Sequence, residues 1–130
     1  MSAQPESPAV TIARAHVKAW ASKDYHTARS MLAPDVHVIA MTTNPALPQT
    51  DLTGSDAYME GLVAFADPIV PESVHELATT GDDHNALLLL DLQVAGGPFG
   101  AGAHAPCARL YLVEDDKIKI EQVIFYVSQT

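Results

Sequence analysis

Four side chains carry the types and spacing that general acid–base chemistry needs: Asp91, Arg109, Tyr126 and His16. Asp91 interrupts the run Leu87-Leu88-Leu89-Leu90 and Leu92, where a carboxylate is costly unless it is paired or solvated. Arg109 alternates onto one strand face with Cys107 and Tyr111. It can pair with Asp91 across a sheet or grip a carboxylate or enolate with two N–H groups. Tyr126 shares a face with Ile120, Gln122 and Ile124 and can donate to an oxyanion or act as an acid. Lys119 and Glu121 alternate onto the opposite face, which suits solvent. His16 lies one helical turn before Trp20 and serves as base or donor near neutral pH. Each also has a purely structural reading: an aspartate on a wet sheet face, an ion pair, a core tyrosine, a half-buried helix histidine.

Other chemistries find less support. The six histidines include no His-x-His or His-x-x-x-His pair, and the lone Cys107 has no partner at ligand spacing, so no metal is expected. The glycines at 96, 97, 100 and 102 fall between two strands and not at a strand-to-helix turn, so no nucleotide cofactor is expected. No Gly-x-Ser-x-Gly elbow occurs. His75 falls on a strand within reach of a pocket, whereas His26, His84 and His104 read as surface residues.

The elements that must position these groups follow from periodicity and punctuation. Ser7 and Pro8 open a helix that runs to Ala21, with Val10, Ala13, Val17 and Trp20 at helical spacing. Asp24 caps a second helix over 25–32, which Pro34 stops. Val36 to Met41 reads as a strand and Thr42 to Thr53 as a loop. Ser55 or Asp56 caps a third helix to about Ala66, with Tyr58, Met59, Leu62, Val63 and Phe65 on its apolar side. Strands are expected over 73–80, 85–95, 107–114 and 117–127, the last two joined by the tight turn Asp115-Asp116. Helices first and strands after them is the α+β pattern. Residues 1–7 are expected as a loose tail and 8–130 as one domain.

Composition bounds the rest. The 130 residues suit one domain that needs no disulfide or metal staple. Charged residues make up 18%, below the roughly 25% of an average soluble protein, which favours hiding apolar surface in a homodimer. A net charge of −9 argues against nucleic acid and anionic membrane as partners. Residues 1–8 have neither the basic nor the apolar segment of a secretory signal, and a single cysteine suits a reducing compartment, so a cytoplasmic location is expected.

The order of elements resembles the SnoaL-like branch of the NTF2-like superfamily. The resemblance rests on His16 to Tyr25 at the end of helix one, Leu32 to Val38 at the entry to strand one, Gly54 to Tyr58 at the start of helix three, and Val113 to Ile118 at the last hairpin. It spans roughly Val10 to Val127 and implies a cone of three N-terminal helices packed on a curved, mostly antiparallel sheet around a pocket. That fold hosts isomerases, epoxide hydrolases, dehydratases, polyketide cyclases and non-catalytic binding proteins, so it does not fix the activity. Positions implied for the steroid-isomerase set are His16, Ala40 and Arg109 here, and those for the epoxide-hydrolase set are Asp91, Gln93 and Tyr126. All depart from the family's residue types. The resemblance places the face of Asn85, Leu87, Leu89, Asp91 and Gln93 toward the pocket. On this reading Asp91 is the acid or base, Arg109 and Tyr126 bind oxygen, and His16 is a second proton-transfer group. Trp20, Tyr58, Met59, His75, Gln93 and Gln122 line the substrate. The expected activity is cofactor-free acid–base chemistry on a small apolar oxygenated molecule, and the rival is a binding or dimeric assembly domain of the same fold.

Overall fold

The computed structural model describes residues 7–42, 50–95, 104 and 106–125. Helix α1, Pro8–Ala21, begins as expected: the Ser7 side chain accepts from the Val10 amide at 3.2 Å, and Pro8 fills a first-turn position where no N–H is needed. Its buried residues include Ala9, Val10, Ala13, His16, Val17 and Trp20, a stripe at helical spacing. Lys23, at φ 65°, ends the turn after α1. Its ammonium donates to the carbonyls of Ala66 and Asp67, and so caps the end of another helix. Helix α2, Tyr25–Ser30, is capped by Asp24, whose carboxylate accepts from Thr27 N at 3.3 Å.

Strand β1, Leu32–Thr42, starts earlier than expected. Pro34 does not end a helix; it sits inside extended chain, the conformation it also imposes on the residue before it. Strand β2, Thr50–Thr53, occupies part of the expected loop and pairs antiparallel with β1. Helix α3, Ser55–Ala66, is entered through Gly54 at φ 96°. Neither Ser55 nor Asp56 caps it, because the cap position is a glycine whose backbone conformation L residues avoid. Strands β3 (His75–Gly81), β4 (Asn85–Asp91), β5 (Cys107–Glu114) and β6 (Lys117–Phe125) follow. Asp115 and Asp116 take φ 52° and 60°, the left-handed pair that a two-residue hairpin demands.

The six strands form one sheet in the order β2-β1-β6-β5-β4-β3. Only β1 and β6 run parallel; the other four pairings are antiparallel. The helices lie over one face. Ala86, Leu88, Leu90, Cys107, Tyr111, Val113, Ile118 and Val123 meet Val10, Val17, Trp20, Tyr58 and Leu62 there in a single core. This is the α+β cone that the order of elements implied.

Candidate active site

A one-residue irregularity near the final turn decides which polar groups enter the core. The turn pairs Glu114 with Lys117 and Val113 with Ile118. A regular hairpin would continue by placing Leu112 opposite Lys119 and Leu110 opposite Glu121. Instead Leu112 faces Ile120 and Tyr111 faces Glu121, so Lys119 is the extra residue of a β-bulge. Residues opposite one another share a sheet face. The bulge therefore turns Glu121 toward the helices beside Tyr111 and sends Ile120 and Gln122 outward, where Ile120 is 39% exposed. Lys119 reaches the surface and binds Asp35 at 2.8 Å.

Glu121 is the centre of the resulting cluster. At 2% exposure, its carboxylate accepts from the Tyr58 hydroxyl at 2.6 Å and from the Arg109 guanidinium at 3.2 Å. Arg109, also 2% exposed, lies between two aromatic rings, 4.8 Å from the Trp20 centroid and 5.0 Å from Phe65. Tyr111 lies close to the same carboxylate without closing a hydrogen bond of normal geometry, and its hydroxyl has no other partner among the described residues. His16 is 0% exposed and sits edge-on to Tyr58 at 5.9 Å and to Tyr111 at 6.3 Å. Among the described residues neither nitrogen of its ring has a hydrogen-bond partner, nor does the Trp20 indole N–H or the Arg109 Nε.

Burial sets the protonation states. Desolvation lowers His16 to a pKa of about 4, with Glu121 pulling it up and Arg109 pushing it down, so the imidazole is neutral at pH 7. For Glu121, burial favours the acid form, but Arg109 and the tyrosine hydroxyls together outweigh it and hold the carboxylate ionised. Burial also opposes the charge on Arg109, yet the Glu121 carboxylate beside it keeps the guanidinium charged. Burial, then Glu121, raises both tyrosines well above their ordinary value and keeps them as donors. The core thus holds one matched charge pair, two neutral phenols and one neutral, uncommitted imidazole.

His16, Arg109, Trp20 and Tyr58 come together here, and Met59 is buried on the same helix as Tyr58. Asp91 does not join them. On β4 the face toward the helices is Ala86, Leu88, Leu90, and Asp91 alternates to the other side, where His104 Nδ1 lies 2.9 Å from it. The expected Asp91–Arg109 pair is absent: Arg109 stands opposite Leu88 and takes Glu121 as its partner. His75 is exposed on the edge strand β3 opposite Asp91, and Gln122 is exposed on the outer face. The Gln93 backbone is tied to Val70 and Ser73, away from the cluster. Tyr126 lies outside the described residues. Glu121 and Tyr111 were not anticipated as site residues. The signal available for Tyr111 was its shared face with Arg109; for Glu121 there was none without the bulge. Among the described residues no three His, Cys, Asp or Glu side chains are grouped to hold a metal ion, and no helix is long and apolar enough to cross a membrane.

The helix-covered cone is a fold shared with many solved structures. A protein from Kribbella flavida DSM 17836 matches with a TM-score of 0.78 and 28% identity, over 92% of this chain and 88% of that one. A ketosteroid isomerase-like fold from Catenulispora acidiphila DSM 44928, in complex with trimethylamine, matches with a TM-score of 0.71 and 15% identity, over 95% and 89%. A Mycobacterium tuberculosis protein in complex with estradiol-17β-hemisuccinate matches with a TM-score of 0.69 and 15% identity, over 91% and 93%. No protein of curated function matches the chain. The SnoaL-like domain model matches residues 13–120, and the chain belongs to that family.

Proposed function

We propose that this protein is a cofactor-free enzyme that moves a proton on a small, apolar, oxygenated molecule, with His16 as the proton acceptor and the Tyr111 hydroxyl as a donor to substrate oxygen. The observation that carries this reading is the His16 ring: fully buried, neutral, and with both nitrogens uncommitted. Leaving a polar group buried and unpaired costs about 1–3 kcal/mol, and such groups in native proteins often mark a functional site. An imidazole of such low basicity takes only a proton that is already acidic, such as one next to a carbonyl whose oxygen is held by hydrogen bonds. Isomerisation, cyclisation and dehydration fit that limit. Fold relatives in complex with estradiol-17β-hemisuccinate and trimethylamine support a small-molecule ligand.

The test is a panel of apolar ketones, enones and epoxides, scored first for binding and then for turnover. On a substrate so found, His16→Gln should lower kcat by about two to four orders of magnitude and leave binding nearly unchanged. Binding without turnover of any compound would favour the second reading, a ligand-binding domain. That reading draws on the charge balance of the core, where Glu121 neutralises Arg109. Under either reading a second copy of the chain covers the outer sheet face, where Leu110 is 40% and Ile120 39% exposed.

A further inference from the structure

Among the described residues, the ionisable groups around the His16 ring are Tyr58 on α3, Arg109 and Tyr111 on β5, and Glu121 on β6. A neutral imidazole exists in two tautomers, and the hydrogen bond at one nitrogen ordinarily chooses between them. Among the described residues neither nitrogen has such a bond, so the choice falls to the local field. Its one anionic source among these groups is Glu121, since both phenols stay protonated. That carboxylate cannot turn away. The Tyr58 hydroxyl and the Arg109 guanidinium grip it, and the rings of Trp20 and Phe65 hold the guanidinium in turn.

We infer that Glu121 is a positioning residue for His16: its carboxylate holds the imidazole in one neutral tautomer, N–H toward Glu121, and leaves the other nitrogen bare to take a proton. This deepens the proposed reaction and rests on the role given to His16 there. The proton balance is simple. The bare nitrogen takes the proton as the substrate C–H bond breaks, the electron pair passes to the carbonyl oxygen held by Tyr111, the ring becomes imidazolium, and the nearby carboxylate stabilises the new positive charge without itself being protonated. Arg109 opposes that charge, but more weakly than Glu121 favours it.

Nitrogen-15 NMR of the histidine rings at pH 7, on the full chain, reads the tautomer directly. The wild type should show His16 as a single neutral tautomer. The double variant Arg109→Gln/Glu121→Gln keeps polar groups of similar shape and leaves no lone buried charge, so it should fold. In it the His16 signals should shift to a mixture of tautomers. Tyr58→Phe, which spares the carboxylate, should keep the single form. A mixture in the wild type, or a single tautomer surviving in the folded double variant, overturns the inference. Turnover reports separately on the parent reading: if His16→Gln retains full kcat, the role of His16 as base fails, whatever the tautomer result.

Discussion

A histidine with no exposed surface must repay its desolvation, and the consequence is measurable as stability. The unfolded His16 imidazole takes up a proton below about pH 6.5, whereas the folded one does so only below about 4. Between those values the unfolded state binds the extra proton, so acid favours unfolding. The contribution is fully present above pH 6.5, is lost progressively as pH falls, and levels off below 4. A shift of this size corresponds to roughly 3 kcal/mol. Urea denaturation of the wild type and of His16→Phe at pH 7 and pH 4.5 checks it: the difference in stability between the two proteins should change in favour of the variant as pH drops. Parallel curves for the two proteins would show that the ring titrates normally. Glu121 works in the same direction: Arg109 and the tyrosines hold its carboxylate ionised in the fold, so its contribution too is lost as pH falls through the carboxylate range.

At the scale of elements, the last hairpin and the first helix place the site. The Lys119 bulge brings Glu121 level with Tyr111, while α1 carries His16 and Trp20 one turn apart on its buried face. The other end of α1 is seated by close packing at the β3–β4 turn. A side-chain carbon on Gly81 would meet the Asn85 carbonyl oxygen at 2.5 Å and a Val10 methyl at 2.6 Å. The first clash is with backbone and cannot be relieved by a rotamer change. Gly81→Ala should therefore destabilise the fold by about 1–3 kcal/mol, the usual range for overpacking. Adding Val10→Ala should not restore it, because the carbonyl remains. Thermal or urea melts of the single and double variants decide this, and a wild-type midpoint for Gly81→Ala would refute the packing argument.

At the scale of the molecule, the helices cover only one face of the sheet. The other face presents Leu110, Ile120 and Met41, each 39–40% exposed, with half-buried Leu87, Leu89 and Leu112 among them. So much apolar surface on a monomer would promote association. The expected state is a homodimer closed by this face. Light scattering at micromolar concentration should give twice the chain mass, and Leu110→Lys/Ile120→Lys should give a folded monomer. A monomeric wild type, or a double variant of unchanged mass, would exclude this face as the interface. Buried His16 and Glu121 lie on the opposite side of the sheet, so ligand binding should survive the change.

How much of this was legible in the chain differs element by element. Helix α1 with its Ser7 cap, helix α3, strand β5 and the Asp115-Asp116 turn were readable because their signals are local: a capping side chain, an apolar stripe, a pair of residues that tolerate positive φ. The side of the sheet that each strand residue would face was not local. In β4 the run of leucines is apolar on both faces, so alternation separates Leu88 from Asp91 without saying which lies inside. In β6 the apolar Ile120 pointed to the inner face, yet a single bulge residue reversed the outcome and buried Glu121 instead. The sequence by itself determined an α+β cone and set Trp20 and Tyr58 on the apolar faces of their helices. Only the tertiary structure decided which carboxylate meets Arg109, because a shift of one residue in cross-strand register exchanges the two faces of a strand.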